Sequence, residues 1–234
     1  MADVETAETT DGQDTSAAGA LDAGERIGML GRKLGMTQIL DPRGRAIAVT
    51  VIELGPCVVV QRKTPDRDGY TAVQLGFSAK KESRATKAAI GHAKKAGKGP
   101  FQLLREFRGG ENFEVGRTLR VTDMFSAGDR VHVTGTTKGR GFAGVIRRHG
   151  FGGFPGGHGT HEYFRHGGSI GNRSFPGRVF KGRRMAGQFG NDRVTTRNLS
   201  VVQVRGEQNL LLVAGAVAGS RGGYVEVRPV AEVV

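Results

Sequence analysis

Apolar positions alternate with polar ones over short runs of this chain, and the runs are bounded by Gly, Pro and Asp. Arg45 to Leu54 reads RAIAVTVIEL, with β-branched residues in rough alternation. Cys57 to Lys63 reads CVVVQRK, and Tyr70 to Phe77 reads YTAVQLGF after the turn-forming Asp66-Arg67-Asp68-Gly69. Arg130 to Val133 is a further short run. Runs of this length, so bounded, predict strands of a small antiparallel barrel or sandwich. Residues 83–96 (SRATKAAIGHAKKA) predict one short basic helix with Ser83 as N-cap, weakened by Gly91. Strand character returns between Val194 and Val230, in VTTRNLSVVQVR, LLLVAGAV and YVEVRPV. Val, Ile, Leu and Met make up 13 of those 37 residues, enough to complete one core with the first part.

Between these regions the pattern disappears. From Lys138 to Arg193, only five of 56 residues are Val, Ile, Leu or Met, while Gly rises to 16. Such a segment cannot fold around a core of its own. A structureless loop of this length inside a compact domain points to function. It reads as an extended arm, inserted between strands, that takes its shape from a partner. Residues 1–25 are a second exception, rich in Ala, Thr, Asp and Gly with almost no bulky apolar side chains. They are expected to form a disordered acidic tail, and match neither a secretory signal nor a transit peptide. The expected organisation is therefore a tail (1–25), a mainly β, barrel-like globular domain (26–137 plus 194–234) and an arm (138–193).

Charge gives the arm a partner. The chain holds 35 Lys and Arg against 22 Asp and Glu, a net +13. Seven of the acids fall in residues 1–25, which contain no Lys or Arg, so the remainder has 35 basic against 15 acidic groups. In the arm, 11 basic residues face two acids, Glu162 and Asp192. A body this basic calls for a polyanion. Arginine forks suit phosphates. Glycines let a backbone approach another molecule closely. Eight interleaved aromatics, Phe142, Phe151, Phe154, Tyr163, Phe164, Phe175, Phe180 and Phe189, suit stacking on bases. Irregularly folded RNA, with cavities to thread, fits an arm better than a regular duplex. The candidate RNA-binding residues are Lys138, Arg140, Arg147, Arg148, His149, His158, Arg165, Arg178, Lys181, Arg183, Arg184 and Arg193. No run of eighteen apolar residues occurs, so no membrane-spanning helix is expected.

Other chemistries find no carrier. Gly139-Arg-Gly141-Phe-Ala-Gly144 matches the dinucleotide pattern GxGxxG, but the following VIRRHGFGGFPGGHG leaves no room for the helix such a site requires. His149, His158, His161 and His166 cluster in sequence without helical spacing or supporting Cys. Contacts to phosphates or bases suit these histidines better than a metal. Cys57 sits in a strand and reads as an inert buried thiol. No enzyme activity, cofactor, metal or small-molecule substrate is expected. A general RNA-binding chaperone would also be served by the basic arm.

Several motifs carry a family resemblance. Gly31-Arg-Lys-Leu-Gly-Met-Thr-Gln38 resembles the GxKxGMT signature of the bacterial large-subunit ribosomal protein L-three family. Val133 to Gly144 (VTGTTKGRGFAG) is similar to that family's most recognisable run. Gly168-Ser-Ile-Gly171, Pro176 to Gln188 (PGRVFKGRRMAGQ) and Asn209-Leu-Leu-Leu-Val213 follow in the family's order. The resemblance covers roughly Arg26 to Pro229. It implies a translation-protein-type β-barrel and an internal extension through rRNA toward the peptidyl transferase centre. It further implies binding near the 3′ end of 23S-type rRNA, a part in starting large-subunit assembly, and a cytoplasmic location. Implied neighbours include the L-fourteen and L-nineteen ribosomal proteins. Carried over by motif, Asn172, Arg173, Ser174 and Phe175 form the arm tip nearest the catalytic RNA. Ser174 stands where some members have a methylated Gln, so that modification is not carried over.

Overall fold

The computed structural model describes residues 26–230, and the acidic segment 1–25 lies outside them. The described residues form twelve strands and four short α-helices. In strand β2 (Ala46–Leu54), Val49, Ile52 and Leu54 are fully buried, while Ala46 and Ala48 are exposed. Strand β1 (Met29–Leu40) runs beside it for nearly its whole length, from Gly31 opposite Leu54 to Leu40 opposite Ala46. A register shift between Lys33 and Gly35 interrupts the pairing. Such an irregularity strengthens local twist and helps a sheet curl. At Gly31, an added Cβ would press on the Glu53 carbonyl, which explains a glycine in mid-strand.

Curling ends in closure. β1 and β2 join β7 (Arg130–Thr136), β10 (Arg193–Arg205), β11 (Leu210–Ala214) and β12 (Tyr224–Pro229) in the ring β1-β12-β7-β10-β11-β2. Every neighbouring pair is antiparallel. A closed ring leaves no strand edge to pair with another chain. The chain is thus mainly β, as its pattern predicts.

The strands at 57–63 and 72–79 do not join the ring. β3 (Cys57–Lys63) and β4 (Ala72–Ala79) lie in a separate four-stranded sheet, ordered β5-β4-β3-β6, with β5 (Phe101–Arg108) and β6 (Thr118–Leu119). The two sheets nevertheless share one hydrophobic core. Val131, Val133, Leu211, Val213, Val225 and Val227 of the ring are in one buried cluster with Val73, Leu75, Phe107 and Phe113 of the satellite sheet and its loops. Cys57 lies in this cluster, and its Sγ donates to the Leu30 carbonyl at 3.3 Å. Burial pushes its thiol up to about 12, so no thiolate is available near neutral pH.

The helices are minor. α1 (Pro65–Asp68) is one turn ended by Gly69 at φ 80°. The basic helix α2 runs over Lys87–Lys94 rather than from Ser83. Thr86 caps it, its hydroxyl accepting from the Ala89 amide at 3.3 Å, while Ser83 falls in a separate 3-10 turn. α3 (Val121–Met124) buries Val121 and Met124 beneath the ring. Two of the longer strands escape the sequence pattern. β1 carries Gly31 and Gly35 and a mixed polar face, and β5 exposes much of FQLLREFR.

Candidate nucleic-acid interface

The arm leaves the ring where β7 ends and returns where β10 begins. The β7–β10 pairing reaches Thr136 opposite Arg193 and continues outward as a ribbon. The Thr137 amide donates to the Asp192 carbonyl at 2.9 Å, and the Arg140 amide to Phe189 at 2.8 Å. Phe189 donates back to Gly141 at 2.9 Å, and β8 (Phe142–Ala143) then pairs with β9 (Gly187–Gln188). Gly190 makes the close approach possible, since its φ is 70° and an added Cβ would collide with the Lys138 carbonyl.

Beyond the ribbon, regular structure is short. α4 (Val145–His149) has five residues and stops at Gly150, φ 72°. Gly139 and Gly141 therefore belong to a ribbon, and no helix of dinucleotide-site length follows Gly144. Arg148 Nη1 donates to the Met185 carbonyl at 2.7 Å, and His149 Nε2 lies 3.1 Å from the same oxygen. These contacts tie the outgoing helix to the returning chain. Farther out, the Phe154 amide reaches the Phe164 carbonyl at 3.0 Å, and the Tyr163 and His166 rings meet at 4.7 Å. The Arg183 guanidinium donates to the Ser169 carbonyl. Around it opens a concavity of about 670 Å³, lined by Phe151, Ile170, Asn172, Phe180, Lys181 and Arg184 among others.

Burial separates this region from the rest of the molecule. Among the described residues, only Ala143 and Gly190 of positions 138–193 are buried. Lys138, Arg140, Arg147, His158, Arg165, Arg178, Lys181, Arg183, Arg184 and Arg193 are exposed, and Arg148 and His149 are half-buried. Asn172, Arg173, Ser174 and Phe175 are all exposed, with Phe175 at 88%. Of the arm's 11 cations, Arg193 alone is ion-paired among the described residues, to Glu226. Arg140 lies 4.9 Å over the Phe189 ring and Arg178 5.8 Å over Phe180. These are flat cationic and aromatic surfaces on one exposed ribbon, the elements from which phosphate contacts and base stacking are built.

The four histidines are not brought together. His149 meets Met185 and His166 meets Tyr163, and no group of three or more His, Cys, Asp or Glu forms a metal-binding arrangement among the described residues. Conversely, the fold assembles basic groups that the sequence pattern does not single out. Lys33 Nζ donates to the carbonyls of Val217 (2.6 Å) and Gly219 (3.3 Å), beside the arm's root. Burial lowers its ammonium from the usual lysine range, and the charge of Lys138 adds to that effect. Arg105 and Arg228 both reach Glu226. All three lie on strands of ordinary composition, and no local signal distinguishes them.

The family model described as ribosomal protein L3 matches residues 108–210, a span that contains the entire arm and both strands that carry it as far as Leu210. A large ribosomal subunit protein uL3 of Acidothermus cellulolyticus is 52% identical over 207 residues, covering 88% of this chain and 93% of the relative. The protein of the same description from Pelotomaculum thermopropionicum is 52% identical over 207 residues, covering 88% and 97%. That of Syntrophotalea carbinolica is 51% identical over 204 residues, covering 86% and 96%. At such identity over nearly the whole length of each relative, the chain belongs to the ribosomal protein L3 family.

Proposed function

We propose that this chain is a structural constituent of the large ribosomal subunit, that its globular part docks on 23S-type rRNA near the 3′ end, and that its arm threads the folded RNA toward the peptidyl transferase centre. The observation that carries this reading is the arm itself: 11 cations against two acids, with only Ala143 and Gly190 buried among its 56 residues. A polypeptide with that composition gains little from its own packing and much from neutralising phosphates. The ring corresponds in this reading to the translation-protein-type barrel. Lys138, Arg140, Arg147, Arg148, Arg165, Arg178, Lys181, Arg183, Arg184 and Arg193 contact phosphates, with His149 and His158 beside them. Asn172, Arg173, Ser174 and Phe175 form the tip nearest the catalytic RNA. Peptide-bond chemistry belongs to the RNA, and this protein buttresses it from the cytoplasmic large subunit. By organising rRNA around the arm, the chain helps to nucleate subunit assembly next to proteins of the L-fourteen and L-nineteen families.

Replacement of Arg183 and Arg184 by Ala tests the reading. Binding of the full chain to a 23S-type rRNA transcript is measured across a salt series. Each phosphate contact contributes a slope of about −0.9 in log K against log salt, so the double variant is expected to flatten the slope by up to about 2 and to weaken binding. An unchanged slope would remove these arginines from the phosphate contacts. Equal affinity for rRNA and an unrelated DNA duplex would favour a general nucleic-acid chaperone instead.

A further inference from the structure

At the root of the arm three guanidiniums converge on one carboxylate. Glu226 lies in β12 with its side chain 9% exposed. Arg105 Nε, from β5 of the satellite sheet, donates to Oε1 at 3.0 Å. Arg193 Nη2, at the start of β10 where the arm returns, donates to Oε2 at 2.6 Å. Arg228 Nη2 lies 3.7 Å from the same oxygen. Three positive charges thus share one negative charge. Neutralising one carboxylate needs only one arginine, as the molecule itself illustrates elsewhere, between the neighbouring strands β1 and β2 of the ring. Arg32 donates through Nε (3.1 Å) and Nη2 (2.8 Å) to Glu53, a pair that sums to zero.

The excess charge faces a cavity. Arg105, Arg193 and Glu226 line a concavity of about 370 Å³ together with Thr136, Ser220 and Gly223. The Arg105 and Arg193 side chains are 56% and 64% exposed, so most of their five N–H donors remain outside the contact with Glu226. Glu226 fixes where the guanidiniums sit. Holding two arginine forks in place before a ligand arrives lowers the ordering cost of binding it. Two fixed forks with hydroxyls beside them match the charge and the several acceptor oxygens of a phosphate.

We propose that Arg105 and Arg193, held by Glu226, form a seat for one backbone phosphate of RNA at the root of the arm. The seat rests on the rRNA reading above and adds a contact outside the arm. A phosphate there bridges the satellite sheet, the ring and the returning arm, because Arg105, Glu226 and Arg193 come from those three places. RNA binding and the direction of the arm are thereby joined at one point.

Two measurements on the full chain test the seat. In the first, inorganic phosphate is titrated while the Nε–Hε resonances of ¹⁵N-labelled arginine are followed. Arg105 and Arg193 are expected to shift together and saturate, and Arg32 to stay behind. Shifts no larger than that of Arg32 overturn the proposal, and this arm of the test needs no substitution. In the second, Arg105→Ala is compared with the unaltered chain for rRNA binding across a salt series. Loss of one phosphate contact is expected to lower the slope by about 0.9. An unchanged slope for Arg105→Ala, where Arg183→Ala/Arg184→Ala does flatten it, overturns the seat and leaves the rRNA reading standing. Absence of salt-dependent rRNA binding by the unaltered chain overturns the rRNA reading itself, and the seat with it.

Discussion

The chain's twelve phenylalanines are divided between two regions that treat them in opposite ways. In the globular part Phe77, Phe107, Phe113 and Phe125 are at most 5% exposed and belong to the shared core. In the arm Phe142 is 81% exposed, Phe175 88% and Phe180 62%. Burying such a ring is worth about 1.5–3 kcal/mol, so the arm leaves undone what the core completes. Glycine differs in the same way. Gly31 admits the neighbouring strand's backbone, while Gly144, Gly152, Gly156 and Gly157 have open space where a side chain would stand. The core is self-sufficient because each apolar face meets another face of the same chain. The arm leaves its rings and cations exposed, which is the observation that the proposed RNA partner accounts for.

The sharpest way to break this contrast is to truncate one phenylalanine in each region. Phe113→Ala is expected to cost about 3–5 kcal/mol in urea unfolding, because the ring is 1% exposed and leaves a cavity. Phe180→Ala is expected to stay within about 0.5 kcal/mol of the unaltered chain. A comparable loss at Phe180 would mean that the arm packs as a core does.

The boundary between the regions is tested at Gly190. Its positive φ and its contact with the Lys138 carbonyl make Gly190→Ala strained, by about 1–3 kcal/mol. That strain is expected to show locally, as faster amide exchange at Thr137, Arg140 and Phe189, with the ring strands unaffected. Slower folding or lower stability of the entire chain would show that the ribbon is part of the cooperative core.

The last effect concerns Cys57 and vanishes near neutral pH. Burial raises its folded-state value to about 12, above the ordinary thiol value of 9.0. An unfolded chain therefore releases this proton first, and the folded state loses stability as pH rises from about 9 toward 12. The contribution is about 1.4 kcal/mol per pH unit at most. Unfolding followed between pH 8 and 11 is expected to show a shallower decline in Cys57→Ala than in the unaltered chain. Equal declines would indicate that the thiol ionises as readily in the folded state.

Much of this division was legible in the residues themselves. The loss of branched aliphatics between Lys138 and Arg193, together with the rise in glycine and arginine, marks an exposed segment because burial requires apolar area that those 56 residues lack. The rough alternation in RAIAVTVIEL and the short β-branched or apolar runs in CVVVQRK and LLLVAGAV likewise mark strands, half-buried in the first case and buried on both faces in the others. Periodicity is silent about partners, however. β2 and β3 read alike, yet one closes the ring and the other begins the satellite sheet. β1 became a strand because the edges of β2 and β12 both required pairing, despite Gly31 and Gly35 within it. The N-cap moved from Ser83 to Thr86 because only the latter's hydroxyl meets a free helix amide. The Glu226 cluster is the clearest case of all. Arg105, Arg193 and Arg228 lie on three different strands; β10 and β12 flank β7 in the ring, and packing of the satellite sheet against the ring brings Arg105 to the same carboxylate. Composition and spacing are local quantities, so they determined which segments bury themselves and which stay exposed. Convergence of charge is set by which strands lie side by side, and only the tertiary structure decided that.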